Sequence, residues 1–245
     1  MINKDYKKLT TDLISWLSDW FDKNGKDCNA VIGISGGKDS SVVAALCVAA
    51  LGRDRVIGVM MPNGEQSDIN YSLDLINFLG IKSYTINIKD SYESILNQMK
   101  IQDISIDKLT TTNLPARLRV SVLYAVSQSL NGRVVGCSNA SENYIGYATA
   151  HDLSFCNDVS PIANLLVGDV KEVGKELGLP DKFINKIPSD GLCGKTDEDN
   201  LGFTYDTLDK YISSGICEDE NIKLKIETMH QRSRYKFRNS ESFEV

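Results

Sequence analysis

The segment Ser35-Gly36-Gly37-Lys38-Asp39-Ser40-Ser41 lies directly after the apolar run 30–34 and opens the uncharged stretch 40–52. A short strand that meets a glycine turn and passes straight into a helix is half of a βα unit, so this segment restricts the fold more than any other. It also restricts the chemistry. Glycines let the backbone turn tightly and approach a ligand, and the free N–H groups at a helix N-terminus favour anions. Ser35, Ser40 and Ser41 add hydroxyl donors, and Asp39 can hold a hard divalent cation against phosphates. The spacing GxxxxGK[ST] is absent, so the loop is not of the Walker type.

The rest of the chain continues the alternation. Residues 1–24 carry Tyr6, Leu9, Leu13, Trp16 and Trp20 at spacings of three and four, which predicts an amphipathic helix broken at Asn24-Gly25. Strands are expected at 30–34, 56–61, 83–88 and 133–136. Helices are expected at 40–50, 67–79, from about 91, and at 114–130. This βαβαβ rhythm predicts an α/β fold, a doubly wound, mostly parallel sheet with helices on both faces and ligands at the carboxyl ends of its strands. Beyond Gly136 the pattern loosens. Residues 137–165 read as an ordered loop with a short helix, 167–178 as a helix, 188–202 as polar, and helical pattern resumes at Tyr205. Without repeats or a linker, residues 1–245 are expected to form a single domain.

Composition narrows the function. The formal charge of −6 argues against a binder of nucleic acid, which needs a basic surface to displace counterions. The acids concentrate in 190–220, nine against Lys195 and Lys210, whereas 221–238 carries six bases against Glu227. No apolar run approaches the length of a membrane span, and the charged N-terminus lacks a signal-peptide core, so a cytoplasmic protein is expected. The six cysteines form no CxxC pair and there are only two histidines, His151 and His230. Chemistry is therefore expected to rest on a nucleotide, a hard metal ion and carboxylates.

SGGKDSS after a strand resembles the pyrophosphate loop of the N-type ATP pyrophosphatases, an adenine nucleotide alpha hydrolase-like, Rossmann-like superfamily. Further segments, in order, resemble the NAD synthetases of that group: Asn113-Leu114-Pro115-Ala116-Arg117-Leu118-Arg119; Gly136-Cys137-Ser138-Asn139-Ala140-Ser141-Glu142 with Gly146-Tyr147; and Pro188-Ser189 through Thr196-Asp197-Glu198-Asp199-Asn200-Leu201-Gly202 to Tyr205. The resemblance implies ATP-dependent amidation of deamido-NAD by ammonia through an adenylated nicotinate carboxylate, releasing pyrophosphate and then AMP. It implies ATP contacts at Gly33, Ile34, Ser35, Gly36, Gly37, Lys38, Asp39, Ser40, Met60, Cys137, Val167 and Ser189. Mg²⁺ would be held by Asp39 and Glu142, and deamido-NAD by Arg117, Asp158 and Lys236. It further implies a homodimer, with 1–24 and 114–130 as contact helices, and no glutamine amidase domain.

Four departures stand out: Cys137 replaces a threonine, Ala150 a basic residue and Val167 a lysine, and the loop 151–158 departs from the family's pattern. They leave two alternatives open: a related adenylating enzyme with another acceptor, or a nucleotide-binding homologue without turnover.

Overall fold

A computed structural model describes residues 4–185 and 196–237. The first helix, α1 (Tyr6–Asn24), starts where the Asp5 carboxylate accepts from Lys8 N and stops at Gly25. There follow β1 (Asn29–Gly33), α2 (Lys38–Leu51), β2 (Val56–Met60), α3 (Ile69–Leu79), β3 (Lys82–Thr85), α4 (Lys89–Ile101), α5 (Lys108–Ser129) and β4 (Gly132–Val135). The strands are all parallel in the order β3-β2-β1-β4, with Ala30 opposite Val56 on one side and Arg133 on the other. A single parallel bridge, Val135 to Val159, extends the sheet beyond β4.

Both faces are covered, which is why the central strands β1 and β2 read as nearly continuous apolar runs. Ala30, Ile32, Val56 and Met60 face a layer made by Leu17 and Phe21 of α1, 42–47 of α2 and Leu75 of α3. Val170 and Val173 of α7 (Val167–Glu176) and Phe183 of α8 (Asp181–Ile184) complete that layer. The alternate residues Val31, Ile57, Val59 and Val134 face α5 through Leu123 and its neighbours. A third, smaller cluster is helical. It joins Ile145 of α6 (Ala140–Ile145), Val167, Leu201 of α9 (Asp197–Leu201), Leu208 of α10 (Tyr205–Ser214) and Ile226 of α11 (Glu220–Ser233). The 3-10 turn Arg234–Phe237 follows α11.

Among the boundaries that differ from the sequence reading, two have a clear physical cause. The third strand ends at Thr85, not at residue 88. Ile86 N and Ile88 N still donate to Met60 O and Pro62 O, but Pro62 has no N–H to return and regular pairing stops. The helix expected from 114 starts six residues earlier, because the Asp107 carboxylate caps it by accepting from Thr110 N at 2.7 Å. It then runs through Pro115, giving up one backbone bond to Thr111 O. Among the described residues no helix is long and apolar enough to cross a membrane.

One tertiary contact of α1 has a pH signature. Tyr6 Oη donates to Asp169 Oδ1 at 3.0 Å, and Lys4 Nζ donates to the other oxygen. Burial, together with the bond to and charge of Asp169, raises the Tyr6 phenol from 10.0 to about 12. The folded chain thus keeps a proton that the unfolded chain releases near pH 10. That contribution to stability is whole below pH 10 and is lost as pH rises towards 12. Urea unfolding across this window is expected to show a smaller loss for Tyr6→Phe than for the wild type. Tyr124 and Tyr211, raised likewise, supply the residual slope.

Candidate active site

The sheet order reverses between β1 and β4, and a cleft of about 800 Å³ opens there at the carboxyl ends of the strands. Its floor is the loop 34–37 and the first turn of α2. Gly37 is the N-cap of α2 and supplies no side-chain bond, so the first amides of the helix remain available to an anion. Gly36 has φ +75°, and a Cβ there would lie 2.8 Å from Tyr71 Cβ and 3.0 Å from Ser72 N. Only glycine suits that turn. Ser72 Oγ ties the loop to α3 by donating to Ile34 O, while Ser35 Oγ accepts from Gly37 N and lies 3.1 Å from Ser40 Oγ.

Charge converges at one end of the cleft. Lys38, only 3% exposed, places its ammonium 2.8 Å from Asp39 Oδ2 and 3.8 Å from Glu142 Oε1. It also stands over the Tyr205 ring at 5.4 Å. Burial pulls the Lys38 pKa down, but Asp39 and Glu142 more than offset this and the net shift is upward. For Glu142, burial and then the neighbouring Asp39 charge push the carboxyl well above the ordinary carboxylate range. Asn139 is fully buried between them. Its Oδ1 accepts from Glu142 N, capping α6, and its Nδ2 donates to Asp39 Oδ1 at 3.0 Å.

Asp39 and Glu142 fit a hard divalent cation. Their oxygens already share one positive charge, and Glu142 is costly to ionise without one. Among the described residues no group of three or more His, Cys, Asp or Glu side chains gathers as an all-protein cage. Two carboxylates, with phosphates and water completing the shell, is the usual arrangement for magnesium.

The cleft wall opposite is formed by α5 and the segment 146–153. Gly146 ends α6 at φ +66°, packed so closely on Ser233 that a side chain has no room. Lys236 Nζ reaches this wall, donating to Gly146 O and Ala148 O, and burial lowers its pKa. The departing loop is well anchored: Thr149 Oγ1 donates to Asn113 Oδ1, Asp152 accepts from Thr149 N and Ser154 N, and Phe155 packs edge-on against Phe237.

The structure brings Gly33, Ile34, Ser35, Gly37, Lys38, Asp39, Glu142 and Lys236 to the cleft, with Gly36 and Ser40 shaping its loop. Other expected residues lie elsewhere. Met60 is buried in β2 and its neighbour Met61 lines the cleft instead. Val167 is buried in the helical cluster, donating its amide to Ser141 Oγ. Cys137 packs at the edge of the core, where burial, then Asp39, raise its thiol pKa. Asp158 accepts from Val134 N and Tyr124 Oη, closing the free edge of β4. Arg117 is exposed and donates to Ala150 O, so a cation stands at that position of the loop although residue 150 itself has none. Ser189 lies outside the described residues. Arg119, Asn139 and Asp152 have no role in the sequence reading; helix phase was the available signal for Arg119.

The comparisons agree with this geometry. A family model described as NAD synthase matches residues 9–243. The NH(3)-dependent NAD(+) synthetase of Methanococcus aeolicus is 43% identical over 84% of this chain and 82% of its own length. Among solved structures, the NMN synthetase of Francisella tularensis superposes with a TM-score of 0.89 at 34% identity, covering 99% of this chain and all of that one. The NH3-dependent NAD synthetase of Campylobacter jejuni gives 0.79 at 26%, covering 98% and 100%. A glycine-rich strand-to-helix loop, two converging carboxylates and sequence likeness over almost the whole length lead to one conclusion: this chain belongs to the NAD synthase family.

Proposed function

We propose that this chain binds ATP with Mg²⁺ in the cleft and amidates the nicotinate carboxylate of deamido-NAD with ammonia. The observation that carries the reading is the meeting of Asp39 and Glu142 around Lys38 at the open N-terminus of α2. When bound, magnesium would supply charge neutralisation at the phosphates. The α2 amides and the Ser35 and Ser40 hydroxyls would orient the β- and γ-phosphates. Lys38, whose charge is secured by its two carboxylates, would stabilise the negative charge that builds on departing pyrophosphate. The acceptor carboxylate oxygen attacks the α-phosphorus and the bond to the β-phosphate breaks. Ammonia from solution then adds to the acyl carbon, loses a proton and expels AMP.

A second reading has its own observation. The superposition on the NMN synthetase of Francisella tularensis points to nicotinate mononucleotide as the acceptor. The two are separated by comparing kcat/KM for deamido-NAD and nicotinate mononucleotide, with AMP and amide product both quantified. Equal AMP and amide from either acceptor supports the amidation; ATP binding without AMP release from both overturns it. In the same assay Asp39→Asn and Glu142→Gln are each expected to lower kcat by about a hundredfold or more, on the scale of losing one element of transition-state charge stabilisation.

We further propose a homodimer formed through α5. Between α5 and the β3 edge of the sheet, Val122, Ala125 and Val126 of the helix and Leu130 after it line an apolar groove of about 360 Å³ with Tyr84 and Ile86. The other expected contact helix, α1, spends Leu17 and Phe21 on its own core. Sedimentation is expected to give a dimer for the wild type and a monomer for Val126→Asp.

A further inference from the structure

Three cations line the cleft among the described residues: Lys38, Lys236 and Arg119. Lys38 is held by Asp39 and Glu142, and Lys236 by two backbone carbonyls. Arg119 differs. Its Nε donates to Met61 O at 3.1 Å, and its two terminal amino groups make no hydrogen bond or ion pair among the described residues. The guanidinium is half-buried, and that burial lowers its pKa, yet an arginine this far from its titration range stays charged.

Helix geometry explains why this arginine and not its neighbour faces the cleft. At about 100° per residue, Thr112, Pro115, Ala116 and Arg119 share one side of α5, and all four line the cleft. Arg117 is two residues away, about 200° round the helix, and lies outside the cleft lining, exposed and donating to Ala150 O. The Ala116-Arg117-Leu118-Arg119 segment therefore divides its cations between two tasks.

We propose that Arg119 is the fixed oxyanion-binding group of the cleft, pairing in bidentate fashion with a carboxylate or phosphate of a bound substrate. The bond from Nε to Met61 O fixes the plane of the fork, and leaves its outer edge, with two parallel N–H groups, for the ligand. Electrostatics require such a group. Asp39, Asp68, Glu142, Asp152 and Asp197 line the same cleft, so an anionic substrate enters against carboxylates. The inference rests on the amidation reading, in which both large substrates are anions.

The test is calorimetric binding of Mg²⁺-ATP, of deamido-NAD, of nicotinate mononucleotide and of its carboxylate-free counterpart nicotinamide mononucleotide to the wild type, Arg119→Gln and Arg119→Lys, with melting temperatures alongside. Arg119→Gln keeps a donor for Met61 O and removes the charge. It is expected to weaken one ligand class by about tenfold or more, with an intermediate loss for Arg119→Lys and an unchanged melting temperature. Weaker ATP binding alone assigns the nucleotide phosphate. Weaker acceptor binding alone assigns the acceptor's carboxylate or phosphate, the carboxylate being indicated if nicotinamide mononucleotide binding is unaffected. Unchanged affinity for all ligands overturns the proposal, as does a loss seen only with a lowered melting temperature. Because binding is read directly, a wild type that binds these ligands without releasing AMP refutes the amidation, while the affinities still decide the role of Arg119.

Discussion

An almost fully buried ammonium, that of Lys38, is costly to keep charged unless anions surround it, and this requirement organises the site. Asp39 alone is adjacent in sequence. Glu142 comes from the far side of the sheet's switch point and is itself hard to ionise there. Each group makes the others tolerable, so the turn 34–37, the first turn of α2 and the first turn of α6 have to be in register together. The architecture supplies that register. β1 and β4 are hydrogen-bonded neighbours along Asn29–Ile32, and the loops that leave them diverge to opposite sides of one opening.

Covering both faces of a narrow sheet has a further effect. The strands β1, β2 and β4 are buried by alternate residues on two helical layers, so the carboxyl ends are the margin where polar groups can face solvent without spoiling the core. The helical cluster from α6 to α11 closes part of that margin, and the turn Arg234–Phe237 seals it. Arg234 donates to Asn143 O and Tyr144 O, and Lys236 to Gly146 O, so basic side chains meet the exposed carbonyls at the end of α6. The basic C-terminal stretch thus serves a helix terminus and a cleft wall.

What was legible in the sequence was mostly local. The strands, the phosphate loop and the helices of the first half follow from apolar period and glycine placement, which are short-range constraints. Asp39 and Glu142 could be paired because their motifs were read together, not because either residue is distinctive alone. Side-chain direction was harder. Met60 and Met61 are adjacent, and the pleat sends one into the core and the other into the cleft. Arg117 and Arg119 are separated by half a helical turn. Asp158 looked like a ligand contact, yet its oxygens complete the hydrogen bonding of a strand edge, a role that depends on the fold of the loop 151–158. The apolar pattern starts the fifth helix at 114, but the Asp107 cap carries it back to Lys108, through Pro115 and the single bond lost there.

Asn139 brings a consequence of another kind. Its side-chain oxygen begins α6 while its side-chain nitrogen holds Asp39, so one amide joins the cap of one helix to a carboxylate on another. Each of its two atoms has a partner of one polarity only, which makes the amide a directional key: the flipped orientation would set oxygen against carboxylate and N–H against N–H. A displacement at the start of α6 therefore also removes one of the two bonds that orient Asp39, leaving the one from Lys38. The positions of the two carboxylates are coupled through a single buried side chain.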